Sequence, residues 1–111
     1  MGEMTMSGQF VGLWVDDVRP TPDELILDGW CRAPSFHEAV LKLELMEFET
    51  VSLDHDLGCY YGNKEMTGYD ILMWLVERKE SGLYVPSTVR VHSANPVGHS
   101  RMLETIGRYW R

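Results

Sequence analysis

Cysteine is scarce in this chain. Only Cys31 and Cys59 occur among its 111 residues, and neither belongs to a Cys-x-x-Cys pair or any other zinc-ligand spacing. That argues against a disulfide-stapled scaffold and a thiolate zinc site, and predicts two reduced thiols in a reducing compartment. No apolar run approaches the roughly 20 residues that cross a bilayer, and no charged-then-apolar leader opens the chain, so a cytoplasmic location without a membrane role is expected. Basic clusters are missing as well. The ten Lys and Arg are scattered, and with seventeen Asp and Glu they leave a net charge of −7. A protein that coats DNA needs a dense basic surface, so that class is excluded. There is no internal repeat and no low-complexity segment.

What is present reads as an ordinary soluble domain, with 44% hydrophobic and 24% charged residues. The length suits one compact domain, expected over residues 10–111 after a polar, Met-rich flexible tail at residues 1–9. Phe10-Val11-Gly12-Leu13-Trp14-Val15 is a short continuous apolar run, as in a strand buried on both faces. Prolines at 20 and 22 force a loop after it. Asp28-Gly29 lies between Leu25-Ile26-Leu27 and Trp30-Cys31-Arg32, which predicts a hairpin or a single short strand from the second arm. Ser35 and Glu38 have capping-box spacing, and a helix to about Met46 follows with Phe36, Ala39, Val40 and Leu43 on one stripe.

Glu49 to Leu53 is the next strand, and Cys59 to Met66 reads as a loop. Thr67 and Asp70 again have capping-box spacing, opening a helix that buries Ile71, Leu72, Leu75 and Val76 until Ser81-Gly82 stops it. Thr88 to Ser93 forms a third strand. Asn95-Pro96 caps a last helix carrying Met102, Leu103, Ile106 and Tyr109. Strand–helix alternation of this kind predicts an α/β fold with a mostly parallel sheet.

In such a sheet all strand ends reach one edge, where ligands bind. Three of those ends carry chemistry: Asp16-Asp17, Asp54-His55-Asp56 and His92-Ser93-Ala94-Asn95. Like carboxylates at close range raise each other's pKa unless a cation lies between them. Asp16 or Asp17 with Asp54 would satisfy a hard divalent ion such as Mg²⁺, and the histidines would admit Mn²⁺. Histidine as a residue type has an unperturbed pKa near neutral, so His55 and His92 are candidates for general base and acid, with Asp54 as the third catalytic group. Arg19 either clamps a phosphate oxygen or neutralises the acidic pair. Ser93 and Asn95 offer a hydroxyl and an amide beside a helix N-terminus, although capping alone accounts for Asn95. Alternation along a strand sets Asp54 and Asp56 on one face and His55 on the other. Beside the other two strand ends, Asp54 becomes the inward carboxylate, and Asp56 falls past the strand's end, where it orients His55. Gly58, Gly68 and Gly98 mark either close backbone approach to a ligand or plain turns.

An acidic pair after the first strand, an Asp after a middle strand and a Ser after a later one resemble the receiver domains of two-component signalling. No fifth strand ending in Lys is visible, and His55, Asp56, His92 and Asn95 are additions to that pattern. Those additions resemble the cyclic-phosphate processing receiver domains. The resemblance rests on Leu13-Trp14-Val15-Asp16-Asp17-Val18-Arg19, Ser52-Leu53-Asp54-His55-Asp56-Leu57-Gly58, Thr67-Gly68-Tyr69-Asp70 and Val91-His92-Ser93-Ala94-Asn95-Pro96-Val97-Gly98. It implies a small three-layer, flavodoxin-like fold shortened at its C-terminal end. It also implies a role on cyclic phosphates of RNA ends or nucleotides. The expectation is a metal-dependent phosphoesterase whose partner is a phosphate-bearing nucleotide or RNA end. Two alternatives compete: a phosphoacceptor using Asp54, and a small acidic module that binds another protein.

Overall fold

The computed structural model of the chain describes residues 9–110. The expected tail lies outside them except for Gln9, which opens the first strand. Elements follow in the order β1 (Gln9–Val15), α1 (Asp23–Leu27), β2 (Cys31–Ala33), α2 (Phe36–Leu45), β3 (Glu47–Leu53), β4 (Cys59–Tyr61), β5 (Lys64–Met66), α3 (Gly68–Glu80), β6 (Thr88–Val91) and α4 (Pro96–Tyr109). The main sheet is wholly parallel, ordered β2-β1-β3-β6. This is the α/β receiver-like arrangement, and no fifth parallel strand is found among the described residues.

The core follows from alternation. Leu13 and Val15 of β1, Val51 and Leu53 of β3 and Val89 of β6 share one face. They are buried against Ala39 and Leu43 of α2, Ile71, Leu72 and Leu75 of α3, and Met102 of α4. Helix α3 is central, in contact with both α2 and α4. The opposite face carries Gly12, Trp14 and Ser52. Gly12 is required there because the Trp30 indole lies directly on its Cα, where any Cβ would collide. In α4, Met102 is fully buried, while Leu103 beside it is 49% exposed.

Of the two readings at Asp28-Gly29, the hairpin does not form, since the dipeptide ends α1; the other holds, with the second arm alone entering the sheet as β2 parallel to β1. A parallel partner requires the chain to cross back, so Leu25-Ile26-Leu27 coils into a helical turn; Gly29, at φ 94°, stops it. The expected loop from Cys59 to Met66 is an antiparallel hairpin, β4 with β5. Its turn is Gly62-Asn63, with Gly62 at φ 62°. A Gly-Asn pair between short runs is a hairpin signal that the surrounding polar residues masked. No helix among the described residues is long and apolar enough to cross a membrane.

Candidate metal and phosphate site

Strand register assembles the site. Val15, Leu53 and Val91 lie level across β1, β3 and β6. The next residues, Asp16, Asp54 and His92, therefore emerge together from the C-terminal edge. The ladder continues just past the strands: Asp54 N–H donates to the Val15 carbonyl and His92 N–H to the Leu53 carbonyl, both at 3.0 Å. Carboxylate oxygens of Asp16, Asp17 and Asp54 all lie within 4.8 Å of one another.

Asp16 is the most constrained of the three, being only 1% exposed. Its Oδ1 accepts the backbone N–H groups of Val18 at 2.9 Å and Arg19 at 2.7 Å, folding the proline-bounded loop around it. Its Oδ2 faces His92 Nε2 at 3.1 Å. Arg32 of β2 clamps the loop from outside, donating to the carbonyls of Asp16 at 3.1 Å and Asp17 at 3.3 Å. Lys42 reaches the Arg32 carbonyl at 2.7 Å.

Asp54 has its pKa raised. Burial is the main cause, and the Asp16 charge adds to it; hydrogen bonds from Ser93 and from the His55 backbone oppose the shift, and Asp56 reinforces it. Among the described residues no Lys or Arg forms an ion pair with Asp16, Asp17 or Asp54. Arg19 makes no ion pair with them among the described residues; its guanidinium donates to the His92 carbonyl at 3.1 Å. Three oxygen donors crowded around an uncompensated negative centre fit a hard divalent cation.

His92 stacks on Trp14, with ring centroids 3.7 Å apart and planes 6° from parallel. Trp14 is itself tied down through its indole N–H to the Arg19 carbonyl at 3.0 Å. His92 Nδ1 lies 2.7 Å from the Ser52 hydroxyl, so both ring nitrogens have partners. Burial lowers the His92 pKa, helped by the Arg19 charge, although Asp16 pulls the other way.

His55 is held differently. Its ring lies against Gly98 in the first turn of α4, where a Cβ would strike the imidazole. Its Nδ1 bonds Asp56 Oδ1 at 2.8 Å, and its carbonyl accepts the Gly68 N–H at 2.8 Å. Gly68 in turn lies directly on the Asp54 carbonyl. The close approaches at Gly68 and Gly98 are thus to the chain's own strand end. Gly58 adopts φ 60°, and a Cβ there would come within 2.9 Å of Asp17 Oδ2.

The structure thus gathers Asp16, Asp17, Asp54, His92 and Ser93 directly, with His55 and Asp56 one step beyond and Arg19 at the rim. Asn95 is occupied by the fold: its Oδ1 caps α4 by accepting the Gly98 N–H at 3.0 Å, and its amide nitrogen lies 3.5 Å from Asp56. Three neighbours carried no site role in the sequence: Ser52, Trp14 as the floor under His92, and Arg32 as the loop clamp. Ser52 left a signal, since a hydroxyl between Val51 and Leu53 is out of place in a buried strand.

Residues 11–108 match the family model described as cyclic-phosphate processing receiver domain. No curated protein and no solved structure matches the chain.

Proposed function

The chain belongs to the cyclic-phosphate processing receiver domain family, and from that premise we propose that it is a metal-dependent phosphoesterase opening a cyclic phosphate on an RNA end or nucleotide. The observation that carries this reading is the Asp16, Asp17 and Asp54 cluster, with oxygens within 4.8 Å and no bonded cationic side chain among the described residues. These three carboxylates would hold Mg²⁺ or Mn²⁺. A bound divalent ion supplies Lewis-acid polarisation of phosphoryl oxygens and a more acidic water.

The chain's own groups divide the remaining work. His55 keeps Nε2 for a proton, because Asp56 holds Nδ1 and fixes the ring. In this reading His55 exchanges protons with water and with the leaving oxygen. His92 has both nitrogens engaged and is 13% exposed, which favours a part in holding Asp16 over proton transfer. Arg19 has further N–H groups beyond the one bonded to the His92 carbonyl, and its exposed position at the rim suits a phosphate oxygen. The Ser93 hydroxyl accepts the Asn95 N–H at 3.1 Å and donates to Asp54; once a cation takes up that carboxylate, its single O–H would be free to turn to a phosphate oxygen as the second contact.

Hydrolysis of a nucleoside 2′,3′-cyclic phosphate tests this. Turnover is expected with Mg²⁺ or Mn²⁺, none after chelation, and a loss of at least about 100-fold in Asp54→Ala. Metal-independent turnover, or an Asp54→Ala variant as active as wild type, defeats the reading.

A further inference from the structure

Ser52 opens one of the family motifs but carries no role there, yet it is 3% exposed in the central strand and touches the site through His92. Register sets its side chain on the same face as Trp14, one pleat below Asp16 and Asp54. His92, arriving from β6, folds back over that pleat. The imidazole stacks on Trp14, places Nδ1 2.7 Å from Ser52 Oγ, and presents Nε2 3.1 Å from Asp16 Oδ2.

The donor and acceptor roles follow from the ends of this chain. A carboxylate oxygen only accepts, so the nitrogen facing Asp16 must carry hydrogen. In a neutral imidazole Nδ1 is then an acceptor, and the Ser52 hydroxyl is the donor that suits it.

Asp16 then has a countable set of lone pairs. Two backbone N–H groups occupy Oδ1, and the His92 N–H takes one of the two positions on Oδ2. One remains, directed by the bonds already made. We propose that Ser52 is a positioning residue for the cation site: it holds the tilt of His92, whose tautomer Asp16 sets, and so leaves Asp16 a single Oδ2 lone pair for a divalent ion. The inference rests on the metal reading of the Asp16, Asp17 and Asp54 cluster. Groups that orient metal ligands from behind typically change affinity by about 10–100-fold when removed.

The test uses the whole protein and Mg²⁺ alone. Ser52→Ala removes the hydroxyl and Ser52→Thr keeps it. Mg²⁺ affinity is read from the concentration dependence of the melting temperature, and the His92 tautomer from long-range ¹H–¹⁵N spectra of metal-free protein. Wild type should show hydrogen on Nε2. Ser52→Ala should bind Mg²⁺ about 10-fold more weakly while keeping hydrogen on Nε2, and Ser52→Thr should restore the affinity. Hydrogen on Nδ1 in wild type overturns the inference, as does wild-type Mg²⁺ affinity in Ser52→Ala. Equal weakening in Ala and Thr assigns Ser52 to packing alone and also overturns it. If wild type binds no Mg²⁺, the metal reading falls, and with it the role assigned to Ser52, whatever tautomer His92 shows.

Discussion

Asp54 and Asp70 are both partly buried carboxylates, and the fold moves their pKa values in opposite directions. Burial works against the charged form of Asp70, but donors outweigh it: the Thr67 N–H at 2.8 Å, the Thr67 hydroxyl at 3.1 Å and Lys64 at 3.0 Å. Its pKa is lowered. Asp54 also receives two hydrogen bonds, yet burial and the facing Asp16 win, and its pKa is raised. One carboxylate closes a capping box and starts α3; the other is left with negative neighbours. A carboxylate whose needs are met inside the protein is part of the scaffold. One whose needs are unmet marks where something from outside belongs.

The strongest way to break this contrast is to remove the charge at Asp54. Asp54→Asn relieves like-charge repulsion, so the metal-free protein should melt at or above the wild-type temperature. Mg²⁺ at a hundred times its dissociation constant should stabilise wild type by about 2.7 kcal/mol, roughly 10 °C or more for a domain this small, and should leave the variant unmoved. A variant that melts well below wild type without metal, or gains as much from Mg²⁺, removes Asp54 from the unsatisfied class.

A second substitution acts where the two regions meet. Gly68 begins α3 within the Asp70 capping box, and it also lies on the Asp54 carbonyl. Gly68→Ala forces backbone against a new Cβ, so a loss of about 1–3 kcal/mol is expected in urea unfolding. Because Asp54 must shift to make room, Mg²⁺ affinity should fall with stability. Unchanged stability means that α3 does not bear on the strand end as the geometry states.

Much of this was legible beforehand, for physical reasons. The capping boxes, the apolar runs and the charged strand ends are local patterns, and a parallel sheet turns strand ends into neighbours without further information. Hence Asp16, Asp17, Asp54 and His92 could be grouped before any coordinates. Contacts across the sheet were not legible. Arg19 was equally a phosphate clamp or a partner for the acidic pair; its bond to the His92 carbonyl depends on a loop path set by the two N–H groups that fold around Asp16. Asp28-Gly29 left two readings open because the same dipeptide ends a helix as readily as it turns a hairpin. Only the direction of β2 distinguishes them.

The smallest effect lies on the scaffold side and carries a definite pH sign. The native pKa of Asp70 is below its unfolded value, so ionised Asp70 favours the folded state at any pH above the unfolded carboxylate range. As acid is added, the unfolded chain takes up its proton first, and the stabilisation is lost as pH falls through the lowered native value. Asp70→Asn should therefore cost about 1 kcal/mol at neutral pH, as a lost cap does, and the gap to wild type should shrink as the solution is acidified. Its Mg²⁺-induced gain in melting temperature should equal that of wild type, because Asp70 bonds only Thr67 and Lys64 among the described residues. Melting curves at several pH values, with and without Mg²⁺, measure both quantities. A gap that widens in acid reverses the sign assigned to Asp70, and a lost Mg²⁺ response ties the capping box to the metal site, dissolving the division between the two carboxylates.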